Sequence, residues 1–286
     1  MRRVAITGNG NKVGKTMKAA LLTDRGVVRV GGPEARSFLQ GLVTGNAVTL
    51  GEDEARWAAL LSPQGKILFD FLMSATPDAI LLDVNREKIP DLVKRLTMYR
   101  LRAKVEISDE SENLSVIALY DGAPGEGARD SRHAEMGTRL IVPAGKVAAQ
   151  MLTFGGDFGL ADYAAHRIAL GVPEGGVDFA YGDAFPHEAD MDQLNGVDFK
   201  KGCFVGQEVV ARMHYRGTTR NRVLKVLLEG AAPPPGAIVM AGEIRVGTMG
   251  SSAGAQGLAL LRIDRAEEAA QAGQALVSGE TRLRLA

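Results

Sequence analysis

From Met17 onward, apolar and polar positions alternate in short blocks. Lys18–Leu22 and Val27–Val30 read as strands, and Asp24-Arg25-Gly26 between them predicts a hairpin. Gly31-Gly32-Pro33 breaks the second strand and opens a helix, with Pro33 suited to its first turn. Ala35, Phe38, Leu39, Leu42 and Val43 follow at i, i+3, i+4, i+7 and i+8, which gives that helix one buried face. Trp57–Leu61 and Lys66–Met73 predict a second hairpin across Ser62-Pro63-Gln64-Gly65. Ile80–Val84 is a further strand, and Arg86–Tyr99 a helix that buries Ile89, Leu92, Val93 and Leu96. Lys104–Ile107, Leu114–Leu119 and Leu140–Val142 return to strand; Asp121–Gly127 reads as a mobile loop. Ala161–Leu170 reads as a helix that Gly171 ends.

Strands and helices therefore arrive in pairs, which favours an α+β arrangement with antiparallel sheet over a doubly wound one. Val172–Phe199 has no period at all. A long aperiodic stretch inside a compact domain is functional or disordered, and this one runs into the densest chemical stretch of the chain, so the functional reading is preferred. Beyond Arg222, six short apolar runs are separated by Gly, Pro and polar turns, with Asp264–Ala272 helical among them. That texture predicts a small barrel or sandwich. Three parts result: residues 1–16 as an extension, from a tag or an upstream start codon; residues 17–220 as a core of two subdomains; residues 221–286 as a β-barrel. Gly8 to Thr16 looks like a phosphate-binding loop, but Asn9 stands where the spacing needs Gly, so a nucleotide site is not expected there.

Composition changes this picture little. A chain of 286 residues with 45% hydrophobic and 24% charged content is that of an ordinary soluble protein. Equal counts of 34 basic and 34 acidic residues give no global pull toward nucleic acid or anionic membrane, so neither is expected as a stable partner. The single cysteine excludes an internal disulfide and a multi-cysteine zinc site, and fits a reducing compartment, taken as cytoplasmic. The four histidines, His133, His166, His187 and His214, show no metal-ligand spacing, and no metal site is expected from them. His187 and His214 do flank the two loops that carry the candidate chemistry.

That cysteine lies in the run Lys200-Lys201-Gly202-Cys203-Phe204-Val205-Gly206-Gln207-Glu208, with Arg212 following. Two lysines precede the thiol, two glycines bracket it, and Gln207–Arg212 reads as a helix in which Glu208 and Arg212 pair at i, i+4. Lysine charge and the positive end of a helix both favour thiolate. His214, Tyr215, Arg216 and Arg220 extend the positive side. A small buried core residue is the other fate of a free cysteine; the polar flanks point away from it.

This run resembles the signature of the YgfZ family, folate-binding relatives of the glycine-cleavage T-protein. Lys201, Gly202, Cys203, Phe204, Gly206, Gln207, Glu208 and Arg212 all match, and the wider resemblance reaches from about Met17 to the C-terminus. It implies a T-protein-like, multi-subdomain folate-binding fold with a small C-terminal β-barrel, and tetrahydrofolate as cofactor. It also implies a role in assembly or repair of iron–sulfur clusters, serving radical enzymes that include tRNA-modifying ones. Cys203 and Lys201 become the candidate reactive groups, with Gly202, Gln207, Glu208 and Arg212 around the bound cofactor, and Cys203 a transient cluster ligand. Iron–sulfur enzymes or cluster carriers become the candidate partners.

Two further stretches gain meaning from the same resemblance. In Pro186-His187-Glu188-Ala189, Glu188 is similar in context to the glutamate with which T-proteins hold the pterin; on residues alone it is an exposed acidic loop. Gly65 to Asp70 resembles a T-protein segment ending in two adjacent aspartates, one of them at the reactive nitrogen of folate. Asp70 keeps the second and Phe69 replaces the first, which counts against aminomethyl transfer, since charge growing at that nitrogen needs a placed acid. Asp70 is otherwise a strand residue with a satisfied hydrogen bond. Arg100, with Arg102 and Lys104, could meet the glutamate tail of folate or form a solvated face. The leading expectation is a folate-dependent accessory factor for iron–sulfur enzymes. The alternatives are a tetrahydrofolate-dependent aminomethyltransferase and, with little support from a neutral chain, a tRNA-binding regulator.

Overall fold

A computed structural model describes residues 17–122, 125–217 and 219–286. The phosphate-loop look-alike lies outside the described residues, as does part of the Asp121–Gly127 loop. Fifteen strands and six helices occur among the described residues. Nine strands form one sheet: β1 (Lys18–Leu21), β2 (Arg25–Gly31), β3 (Glu54–Leu61), β4 (Ile67–Ala75), β5 (Ala79–Asn85), β6 (Glu106–Asp109), β7 (Leu114–Tyr120), β8 (Ala128–Asp130) and β9 (Thr138–Pro143). Their order is β1-β7-β9-β8-β3-β4-β5-β2-β6, antiparallel except for the β3–β8 pair. Four helices accompany this part: α1 (Ala35–Gln40), α2 (Ile89–Arg100), α3 (Val147–Thr153) and α4 (Gly159–Ala169). A fifth, α5 (Gln207–Arg216), leads to the last six strands.

The hairpin expected for the first two strands does not form. β1 pairs with β7, and β2 pairs with β5 and β6. The short turn joins them nonetheless, so strands distant in the sheet order are neighbours in the chain and the sheet must curl. The β3–β4 hairpin is as expected, with Trp57 opposite Leu72 and Ala59 opposite Asp70. Along β3 the two faces bury separate cores. Ala58 and Leu60 pack with Phe69, Phe71, Leu39 and the α2 residues Leu92 and Leu96. Trp57, Ala59 and Leu61 pack with Phe179, Ala189, Met191 and Phe204. The aperiodic stretch therefore acts as the cover of the second face.

That cover has no named helix or strand, yet it is tied down residue by residue. Gly182 N donates to Ile67 O, and Ile67 N donates to Ala184 O. Thr44 Oγ1 donates to Gly196 O at 2.6 Å, and Asp198 N donates to Thr44 O. Gly196 is needed there: a Cβ would lie 2.8 Å from the Trp57 ring and 2.7 Å from Met191. The alternative reading of this segment as disordered is thus set aside by its hydrogen bonds.

The remaining strands, β10 (Asn221–Glu229), β11 (Ile238–Ala241), β12 (Ile244–Ala253), β13 (Gln256–Arg262), β14 (Leu276–Ser278) and β15 (Thr281–Leu285), close into a barrel in the order β10-β13-β12-β11-β14-β15. The last helix, α6 (Ile263–Gln271), plugs Ala266 and Ala269 into its interior with Val226, Val239 and Leu261. Hydrogen bonds from Ser251 of β12 to a buried core ion pair, Arg167–Asp178, join barrel to core. Asp178 accepts from Arg167 Nη1 at 2.8 Å, from Glu174 N at 2.8 Å, and from Ser251 N and Oγ at 2.6 and 2.7 Å. Among the described residues no helix is long and apolar enough to cross a membrane.

Candidate functional site

The loop carrying the cysteine is built by alternating anchors. Phe204 is buried in the core under the aperiodic cover, while Gly202 and Cys203 are exposed. Gly206 then takes a left-handed conformation, φ 80°, just before α5. A Cβ on it would lie 2.5 Å from Ser62 O and 3.0 Å from Gly65 Cα, so this glycine lets the loop seat directly on the β3–β4 turn. Gln207 Oε1 accepts from Phe204 N, which makes Gln207 a brace of the loop. Glu208 and Arg212 form the expected i, i+4 pair at 2.8 Å on the outer face of α5. With side chains 86% and 56% exposed, the pair is worth about 0.3–0.5 kcal/mol. The thiol therefore stands in water on a loop held rigidly from below.

Lys201 is not a counter-charge left free for the thiol. Its Nζ donates to Val43 O at 2.5 Å and Gly45 O at 2.6 Å, while its carbonyl accepts from Gln40 Nε2. Lys201 thus clips the loop to the chain after α1. Burial pushes its ammonium down to about 8, although Asp198 opposes this. The unfolded chain keeps the proton to about 10.5 and the folded chain releases it near 8, so unfolding takes up a proton between these values. Stability conferred by this site should therefore rise from pH 8 to 10.5. Urea melts at pH 7 and pH 10 should show that rise in the wild type relative to Lys201→Met; parallel pH profiles of the two would refute the assignment.

A cleft of about 1470 Å³ is lined by Lys200 and His214, which flank this loop in sequence, but not by Gly202, Cys203, Gln207, Glu208 or Arg212, the loop and helix residues expected around a bound cofactor. Its walls come from the ends of β3 and β7, the 129–138 loop, residues 195–200 and the last turns of α5. Phe199 and His214 stack on its wall with ring centroids 3.8 Å apart and planes 18° from parallel. Glu54, Arg56, Asp198 and Tyr215 bring polar and aromatic groups to it.

The carboxylates expected to hold a pterin do not line this cleft. Asp70 is 5% exposed; its Oδ1 accepts from Tyr181 OH at 2.5 Å and its Oδ2 from Trp57 Nε1 at 2.9 Å. Burial and then the charge of Asp70 push the Tyr181 hydroxyl well above its ordinary range, so it stays a donor. Phe69 faces the opposite core. Glu188 accepts from Phe185 N at 2.8 Å and Asn221 Nδ2 at 2.9 Å, which ties the acidic loop to the start of β10. Arg100 and Arg102 are exposed at the end of α2, away from the cleft wall. The cleft, at about 1470 Å³, is larger than the roughly 300–1,000 Å³ of typical small-molecule sites, and neither Asp70 nor Glu188 lines it.

The structure also gathers side chains that the spacing did not. One donor atom each from His187, Asp192 and His214 lie within 4.8 Å of one another, against the expectation of no metal-ligand cluster among the histidines. The signal was there in position only: both histidines flank the two loops.

Comparisons with known proteins follow the same division. Residues 220–286 match the family described as CAF17, C-terminal beta-barrel domain. The chain is similar to the iron-sulfur cluster assembly factor IBA57, mitochondrial, of Mus musculus, 34% identical over 309 residues that cover 91% of this chain and 82% of the relative. The human protein of that name is 35% identical, covering 84% and 76%. The IBA57 homolog of Mycosarcoma maydis is 34% identical, covering 80% of this chain and 62% of the relative, so the chain spans less than two thirds of that protein's length. Among solved structures, glycine cleavage system aminomethyltransferase T from Bartonella henselae superposes with a TM-score of 0.75 at 15% identity, covering 94% of this chain and 84% of that one; it shows the fold. These relatives are mitochondrial by name, which overturns the cytoplasmic expectation. They also place the chain near, but not in, the YgfZ family named from the cysteine run. With a third of its residues shared across nine tenths of its length, on an aminomethyltransferase-like fold that ends in a closed barrel, the chain belongs to the IBA57 family of iron–sulfur cluster assembly factors.

Proposed function

We propose that this protein assists iron–sulfur cluster assembly by lending Cys203 as one ligand to a cluster held mainly by a partner. The observation that carries this reading is the exposure of Cys203 on a braced loop. Most free cysteines are buried, and here Phe204 takes the buried place beside it. Clusters are normally held by four protein ligands, so a chain with one cysteine acts only together with a carrier's thiolates. The cluster is cargo, and the radical enzymes that modify tRNA are among the clients the reading covers. Tetrahydrofolate is the small-molecule ligand proposed for the large cleft, supported by the flat Phe199–His214 stack in its wall.

Reconstitution tests both parts. Anaerobic mixing with a cluster carrier and an apo enzyme that needs a cluster should restore more enzyme activity with this protein than without it. Calorimetric titration should then show one tetrahydrofolate site. Equal recovery with and without the protein would end the accessory reading, whereas a flat titration would remove only the folate from it. The aminomethyltransferase alternative has no separate observation in its favour, because Phe69 and the fully engaged Asp70 occupy the place of its acid pair.

A further inference from the structure

We propose that His187, Asp192 and His214 form a binding site for one divalent transition-metal ion, separate from the cysteine and built where the acidic loop meets α5. One donor atom from each of the three residues lies within 4.8 Å of the other two.

The second observation is the state of His187. It is 2% exposed, and neither ring nitrogen has a hydrogen-bond partner. Leaving a buried polar group unpaired is costly, and ring packing gives it no hydrogen bond: Phe199 and His214 lie at centroid distances of 6.1 and 5.9 Å. A metal ion is the ligand that a neutral, buried imidazole suits, because the lone pair is then available.

Asp192 is held as ligating carboxylates are held. Arg222 Nη1 and Nη2 donate to its two oxygens at 2.9 and 3.1 Å, and Nη1 also reaches Asp190 Oδ1 at 2.5 Å. Each carboxylate oxygen retains a lone pair, so Arg222 can orient Asp192 without displacing an ion. His214 is the exposed member and stands in the cleft wall, which leaves coordination positions open on that side. Donors on one ion sit about 3.3 Å apart when metal–nitrogen bonds are about 2.0–2.1 Å. The donor atoms, within 4.8 Å of one another, must therefore draw together by up to about 1.5 Å to share one ion. Two imidazoles and one carboxylate suit Zn²⁺, Fe²⁺ or Co²⁺ rather than Mg²⁺ or Ca²⁺. An ion here would tie the 185–192 loop to α5 and, through Arg222, to the first barrel strand.

The test uses chelator-stripped full-length protein carrying Cys203→Ser, so that no thiolate contributes. Equilibrium dialysis with Zn²⁺, and visible spectroscopy with Co²⁺, should show one equivalent bound. His187→Phe and His214→Gln should each weaken binding by at least roughly tenfold, while His133→Gln leaves it unchanged. Circular dichroism of His214→Gln, an exposed substitution, shows that the fold is retained. Absence of stoichiometric binding, or binding that survives both the His187 and the His214 variants, would overturn the site.

Discussion

Replacing Cys203 with Ser is expected to abolish support of cluster-dependent enzymes while leaving the melting temperature within about 2 °C of the wild type. The two halves have different causes. Cys203 is exposed, and substitutions at exposed positions away from caps and ion pairs stay within about 0.5 kcal/mol. The loop does not depend on the thiol, because Phe204, Gly206, Gln207 and Lys201 hold it. Serine keeps the size but offers a hydroxyl where a cluster needs a soft thiolate. Thermal melts and the reconstitution assay read the two halves separately. A Cys203→Ser protein that melts normally and supports full recovery would remove the thiol from the mechanism.

Replacing Asp178 with Ala should be the most destabilising of the single changes considered, at about 3–5 kcal/mol. Its side chain is fully buried, and four donors converge on it from α4, from the start of the aperiodic cover and from barrel strand β12. Removing it leaves the guanidinium of Arg167, itself only 4% exposed, with Glu174, the Val172 carbonyl and Ser251 Oγ as remaining partners. Gly250 belongs to the same joint, since a Cβ there would lie 2.3 Å from Asp178 Oδ1. A chain of this size loses about 2–4 °C per kcal/mol, so the midpoint should fall by about 10 °C. Because the joint lies between barrel and core, limited proteolysis should cut first near residue 220. A midpoint within about 2 °C of the wild type would show that the joint is not a main support.

The local part of this architecture was legible in the sequence. Trp57 to Met73 announced its hairpin through a four-residue turn, and the barrel announced itself through regular short runs. Pairings between distant segments were not legible. The Asp24-Arg25-Gly26 turn suggests a hairpin, yet β1 finds β7 nearly a hundred positions away, because strand partners are chosen by the whole sheet. β8, with three residues, and α3, with seven, are too short to show a period. The cysteine loop was readable as a run of fixed positions, including its exposed thiol. The direction of Lys201 was not, since the carbonyls it serves belong to residues 43 and 45. Asp70 likewise showed its type but not its partners, Trp57 and Tyr181. The compartment was misread because a single cysteine speaks of thiol chemistry, and a reducing interior is not an address.

The barrel has one consequence for how a client can be recognised. β10 is hydrogen-bonded to β13 on one side and to β15 on the other, so the ring of six leaves no open backbone ladder. A visiting polypeptide cannot extend it by strand addition. Contacts made with this end of the molecule must run through side chains and turns, so they can be retuned one residue at a time without disturbing the ring.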